Sequence, residues 1–123
     1  KKQFGKTLNI IKIIGKNILN QFFNESFMSA GYVIAQLKVT NPENYKEYVA
    51  KVTEVVKKFG GEYIVRSGEY QVVEGEDNFP RIVIIKFPSY EKALEWYHSE
   101  EYKPVKEIRL KNAEGSNIII KGI

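Results

Sequence analysis

The sequence predicts an α+β domain of ferredoxin-like βαββαβ order: a four-stranded antiparallel sheet with helices on one face. Three observations carry this. Period-two apolar segments alternate with helical ones in that order. The long helical segment shows one apolar stripe. The strands, by contrast, are apolar on both faces.

The first strand is YVIAQLKV, residues 32–39, with Val33, Ala35, Leu37 and Val39 on one face and Tyr32, Ile34, Gln36 and Lys38 on the other. Asn41-Pro42 supplies an N-cap and a proline for the first helical turn. Tyr45, Tyr48, Val49, Val52, Val55, Val56 and Phe59 follow at helical spacing, and Gly60-Gly61 ends the helix. EYIVRS, residues 62–67, is the second strand, with an extension through Tyr70–Val73. GEDNFP is turn chemistry. RIVIIKF, residues 81–87, is the third strand. Pro88 stops it, and Ser89 caps a helix running to about Ser99. Pro104 opens another helix over residues 104–112, Gly115 closes it, and NIIIK, residues 117–121, is the last strand.

Right-handed crossovers place strands one and three at the centre of the sheet. The helix-covered face is then expected to hold Val33, Ala35, Leu37, Val39, Tyr63, Val65, Val83, Ile85, Phe87, Ile118 and Ile120. The open face would carry Tyr32, Ile34, Ile64, Ile82, Ile84 and Ile119. Such a patch exceeds what a monomer usually exposes. The sequence therefore predicts a homodimer, with Ile34, Ile82 and Ile84 at the interface.

Composition excludes much chemistry. The 123 residues include no cysteine, one histidine (His98) and one aspartate (Asp77). Disulfides, thiolate metal sites, cysteine nucleophiles and multi-histidine metal sites are ruled out. No phosphate loop or nucleophile elbow is present, no cofactor or metal is expected, and no motif says whether the chain is an enzyme.

The net charge of +4 is confined to residues 1–27, which hold five lysines and one glutamate, while residues 28–123 balance 14 basic against 14 acidic side chains. The body thus has no basic stripe for nucleic acid. Lys, Asn, Ile and Phe make up 18 of those first 27 residues, and Ala, Arg and Pro are missing from them. Such a composition reads like translated A/T-rich upstream sequence. Residues 1–27 are accordingly expected to be a non-domain leader, dispensable for folding, with Met28 the true start and residues 28–123 the domain. An amphipathic surface helix with Phe4, Leu8, Ile11, Ile18 and Phe22 on one face is the alternative, and only a genuine leader of that kind would bring membrane contact. With neither a signal peptide nor a membrane span, the expected location is cytoplasmic.

Several segments resemble the DUF1330 family, a domain of unknown function in the dimeric α+β-barrel superfamily. They are GYVIAQLKVTNPENYKEY, FGGEYIVRSG, VVEG, PRIVIIKFPSYEKALEWYHSEEYKPVKEIR and Gly122. The resemblance covers residues 31–123. It implies a ferredoxin-like protomer whose sheet pairs with a second copy to form a dimeric α+β barrel, and it implies no substrate. The family's usual glutamate before F-P-S is Lys86 here, so any function resting on that carboxylate is in doubt. Its S-P-E-Y is Ser99-Glu100-Glu101-Tyr102. Some members of the wider superfamily are cofactor-free monooxygenases or isomerases, an analogy at the level of fold.

Candidate sites have structural alternatives. His98 reads as a helix C-terminal cation. Glu76-Asp77-Asn78 reads as a polar turn. Trp96, Tyr97 and Tyr102 suit either a ligand cleft or the core. The polar residues assigned to the open face include Gln36, Arg66 and Lys86. With Tyr63 or Tyr97 for apolar contact, they make a candidate pocket for a small anionic molecule such as a carboxylate. Alternatively, Arg66 and Lys86 pair with Glu62 or Glu74 and fix dimer register. The function expected is binding or transformation of a small anion in the barrel or an adjacent cleft. A non-catalytic dimeric regulatory or interaction module is the alternative.

Overall fold

The computed structural model describes residues 29–123; the expectations for residues 1–27 and Met28 lie outside the described residues. The element order is β1 (Gly31–Val39), α1 (Pro42–Lys58), β2 (Glu62–Arg66), β3 (Arg81–Phe87), α2 (Tyr90–Tyr97), α3 (Lys103–Asn112) and β4 (Ala113–Lys121). The sheet order is β2-β3-β1-β4, with every neighbouring pair antiparallel. This is the ferredoxin-like arrangement, with β1 and β3 central.

The helices form where capping chemistry allows. The Asn41 side chain accepts from the Asn44 amide at 3.1 Å at the start of α1. Gly60 follows the helix at φ +80°, a conformation that would strain a residue with a Cβ. Ser89 caps α2 by accepting from the Lys92 amide at 3.0 Å. Between sheet and helices, Val33, Leu37, Val52, Val56, Ile85, Phe87, Trp96 and Tyr102 form a core, each less than about 5% exposed.

The structure corrects the sequence reading at three places. First, Val33 pairs with Ile119 and Ile34 with Ile118. Ile119 therefore packs against the core, while Ile118 and Ile120 stand on the open face, about half exposed. Three consecutive isoleucines leave alternation without a preferred phase, and pairing with β1 decides it. Gly115 lies inside β4 at φ +138°, where a Cβ would collide with the Gln36 carbonyl, instead of closing α3.

Second, β2 carries a register shift. Tyr63 pairs with Ile85, but Val65 pairs with Ile84 and Arg66 with Val83. A bulge inserts one residue and reverses the facing of everything beyond it. Val65 turns out of the covered face and Arg66 turns into it. Third, β2 ends at Arg66. Ser67, at φ +54°, breaks the strand, and residues 67–80 have no regular secondary structure.

Candidate functional site

The covered face of the sheet can be read as rows running across the strands. One row is Asn117, Ala35, Val83 and Arg66, from β4, β1, β3 and β2 in turn. The next toward the β3 N-terminus is Gly115, Leu37 and Arg81. The first row has small side chains at its centre and long polar ones at both ends. At about 4.8 Å per strand, the ends are roughly 14 Å apart. Ala35 and Val83 are short, and a cavity lies above them. Tyr45, Tyr48, Val49 and Val52 of α1, Trp96 of α2 and Arg109 of α3 complete its walls. The cavity volume is about 30 Å³.

The chain has three arginines against 16 lysines, and all three arginines line this cavity. Arg66, at the exposed edge, lies over the Tyr63 ring at 4.1 Å. Arg81 lies 5.4 Å from the Tyr45 ring. Arg109 is only 5% exposed, and its Nε donates a long hydrogen bond of 3.4 Å to the Tyr102 hydroxyl. That hydroxyl is 2.8 Å from the hydroxyl of Tyr48. No carboxylate lines the cavity, and among the described residues every salt bridge joins a lysine to a glutamate.

A buried cation without a counter-ion is costly. Arg109 nonetheless stays charged. Burial alone would lower its pKa, but the neighbouring Tyr102 and Tyr48 phenols outweigh that effect and raise it. Burial also pushes up the phenols of Tyr48, Tyr63 and Tyr102, against the opposing pull of Arg109 or Arg66. These phenols are neutral hydrogen-bonding groups at physiological pH. With neither imidazole nor carboxylate on its walls, the cavity has no general base.

The residues expected to form one pocket are divided by the sheet. Tyr63 and Arg66 line the cavity on the helix side. Gln36 and Lys86 are exposed on the opposite face, Gln36 across from Ile82 and Lys86 across from Tyr32 and Glu62. A recess does adjoin Gln36, but the 70–79 loop forms its other side and brings Glu74, Glu76 and Asp77, which repel an anion. Tyr97 is outside both. It packs at the core edge against Trp96, beneath the Lys106 ammonium at 4.3 Å. Trp96 and Tyr102 are both buried; Trp96 lines the cavity and Tyr102 holds Arg109.

His98 is an exposed C-cap of α2. Glu76-Asp77-Asn78 is an exposed turn in which Asp77 accepts from the Tyr70 hydroxyl at 2.7 Å. No cluster of three or more metal-ligating side chains occurs among the described residues. No helix among them is long and apolar enough to cross a membrane.

Sequence reasoning missed Arg81, Arg109 and Asn117. Two signals were available. Arginine is rationed in a lysine-rich chain, and Arg109 shares a helical face with Tyr102 and Val105.

Solved structures show the same fold. A protein of unknown function from Rhodopseudomonas palustris superposes with a TM-score of 0.62 at 15% identity, over 88% of this chain and 93% of that one. A hypothetical protein from Arabidopsis thaliana gives 0.56 at 16%, over 77% and 88%. SnoaB, a cofactor-independent oxygenase from Streptomyces nogalater, gives 0.52 at 7%, over 77% and 94%. No curated protein matches the sequence. The family described as Domain of unknown function (DUF1330) matches residues 30–123, and the chain belongs to it.

Proposed function

We propose that this protein binds a small organic anion, a carboxylate or its equivalent, in the arginine-lined cavity between the sheet and α1. It does so as a homodimeric α+β barrel closed through the open face of the sheet. The observation that carries the ligand reading is the convergence of all three arginines on one cavity that contains no acid. Guanidinium groups recognise carboxylates through paired donors, and a cavity screened from water strengthens that attraction. An anion would also neutralise Arg109, which otherwise lies buried without a counter-ion.

Supporting the dimer, Tyr32, Ile34, Ile82, Ile84, Ile118 and Ile120 share the open face, and none of them is fully buried in the protomer. Guanidiniums that hold a carboxylate also stabilise an enolate. With an oxygenase among the fold neighbours, the same cavity would serve an enzyme whose substrate gives its proton to water or hydroxide while the guanidiniums hold the resulting anion.

The test is ligand-dependent stability. A short carboxylate at about ten times its Kd should raise the Tm of the wild-type protein by roughly 5–10 °C. It should leave Arg81→Gln unchanged. Equal shifts in the two proteins would place the ligand elsewhere and end this reading.

A further inference from the structure

Arg109, Tyr102 and Tyr48 form a chain of hydrogen-bonding groups beside the cavity. Arg109 Nε lies 3.4 Å from the Tyr102 hydroxyl, and that hydroxyl lies 2.8 Å from the hydroxyl of Tyr48. The two ends of the chain, Arg109 and Tyr48, line the cavity. The middle member, Tyr102, is fully buried and is not part of the wall. A guanidinium can only donate, so the Tyr102 oxygen accepts from Arg109. The two hydroxyls hold two protons and share one bond, so one proton is left over. If Tyr48 donated to Tyr102, the spare proton would sit on Tyr102, where among the described residues no acceptor remains. If Tyr102 donates to Tyr48, the Tyr102 hydroxyl is satisfied and the spare proton belongs to a residue of the cavity wall. Buried donors are nearly always partnered, so the second arrangement prevails. The bonds therefore run from Arg109 through Tyr102 to Tyr48.

We propose that Tyr48 is a ligand-binding residue that donates its hydroxyl proton to the anion held in this cavity. The inference rests on the anion-site reading above and adds a neutral donor to its guanidiniums. A phenol holds a carboxylate oxygen without placing a further charge in the core. The Tyr48 ring is fixed for this role, with the Tyr45 ring at 5.2 Å and the Tyr102 ring edge-on at 6.5 Å. A cavity of about 30 Å³ has room for about two waters. The group that reaches Tyr48 is therefore a carboxylate head and not a chain, and formate, with its three heavy atoms, is the probe matched to it.

The experiment titrates the full chain calorimetrically with formate, as wild type, Tyr48→Phe and Tyr102→Phe. Each substitution removes one oxygen of the same buried pair, so a purely structural role predicts equal effects. A hydrogen bond to a charged group corresponds to about 10-fold or more in affinity. Tyr48→Phe should weaken formate binding by that factor, and Tyr102→Phe should stay within about threefold of the wild type. Proton NMR of the wild type gives a readout that needs no variant to fold. The Tyr48 hydroxyl resonance should move downfield on adding formate, and further than that of Tyr102. Equal losses in the two variants, a larger loss in Tyr102→Phe, or a Tyr48 resonance unmoved by bound formate would overturn the assignment. Both variants binding as the wild type does, while Arg81→Gln weakens binding, would overturn it and keep the anion site. Formate that does not bind in an Arg81-dependent way would overturn both.

Discussion

The two faces of this sheet are made from the same four strands and carry opposite chemistry. The open face presents isoleucines around Ile34 and Ile84, with Gln36, Lys38 and Lys86 among its polar members. The covered face buries an apolar core, and every arginine of the chain lines the cavity beside it. A charged cavity thus sits where a solid core is expected, and an apolar surface sits where a solvated one is expected. Both departures cost stability in an isolated, empty protomer. The pairing of costs fits the proposed reading, in which a second sheet covers one face and an anion occupies the other.

The largest effect is expected from breaking the open face. Ile84→Lys removes about 1.5–3 kcal/mol of burial from each copy and adds a charge, twice over by symmetry. Sedimentation should show monomer or aggregate where the wild type is dimeric, while carboxylate binding under α1 persists in any folded monomer. A wild type that sediments as a monomer at micromolar concentration would remove the dimer.

On the covered face, Arg109→Met should act against the usual direction of core substitutions. Replacing a buried cation that has phenols but no carboxylate beside it by an apolar side chain of similar length is expected to leave the ligand-free protein at least as stable as the wild type. It should weaken carboxylate binding at least tenfold. Denaturant unfolding and calorimetry read the two effects separately. A destabilised variant would mean that Arg109 is already compensated through Tyr102.

Ala35→Leu separates space from charge. It fills the floor of the cavity and leaves the three arginines in place. Carboxylate binding should be lost at a stability cost of no more than about 2 kcal/mol. Retained affinity in a folded variant would show that the anion sits at the mouth, on Arg66, and not over Ala35.

The smallest effect concerns pH. The cavity wall holds no imidazole and no carboxylate, so the affinity for a fully ionised carboxylate should be flat from about pH 6 to 9. The raised phenol pKa values of Tyr48, Tyr63 and Tyr102 mean that the folded state favours their neutral forms. Their contribution to stability is complete below the ordinary value of 10.0 and is lost as the pH rises above it toward the folded values. Urea unfolding at about pH 8 and pH 11 checks the sign.

The order of elements, the helix caps at Asn41 and Ser89 and the central position of β1 and β3 were legible in the amino-acid sequence. They rest on local causes: periodicity, proline and glycine placement, and the handedness of crossovers. The same local signals made the apolar character of Ile34, Ile82 and Ile84 plain. The alternation placed Gln36 and Lys86 correctly on the open face, but the sides that Arg66 and Ile119 face were decided by tertiary structure alone. Facing depends on register, and register is a property of paired strands. One bulged residue in β2 moves Arg66 from the isoleucine face into the cavity. A one-residue phase in β4 turns Ile119 inward and sets Asn117 above the void. Arg109 reaches the same void only because α3 packs beside α1. Residues distant in the chain became a site through pairing and packing, the two long-range steps that no local pattern encodes.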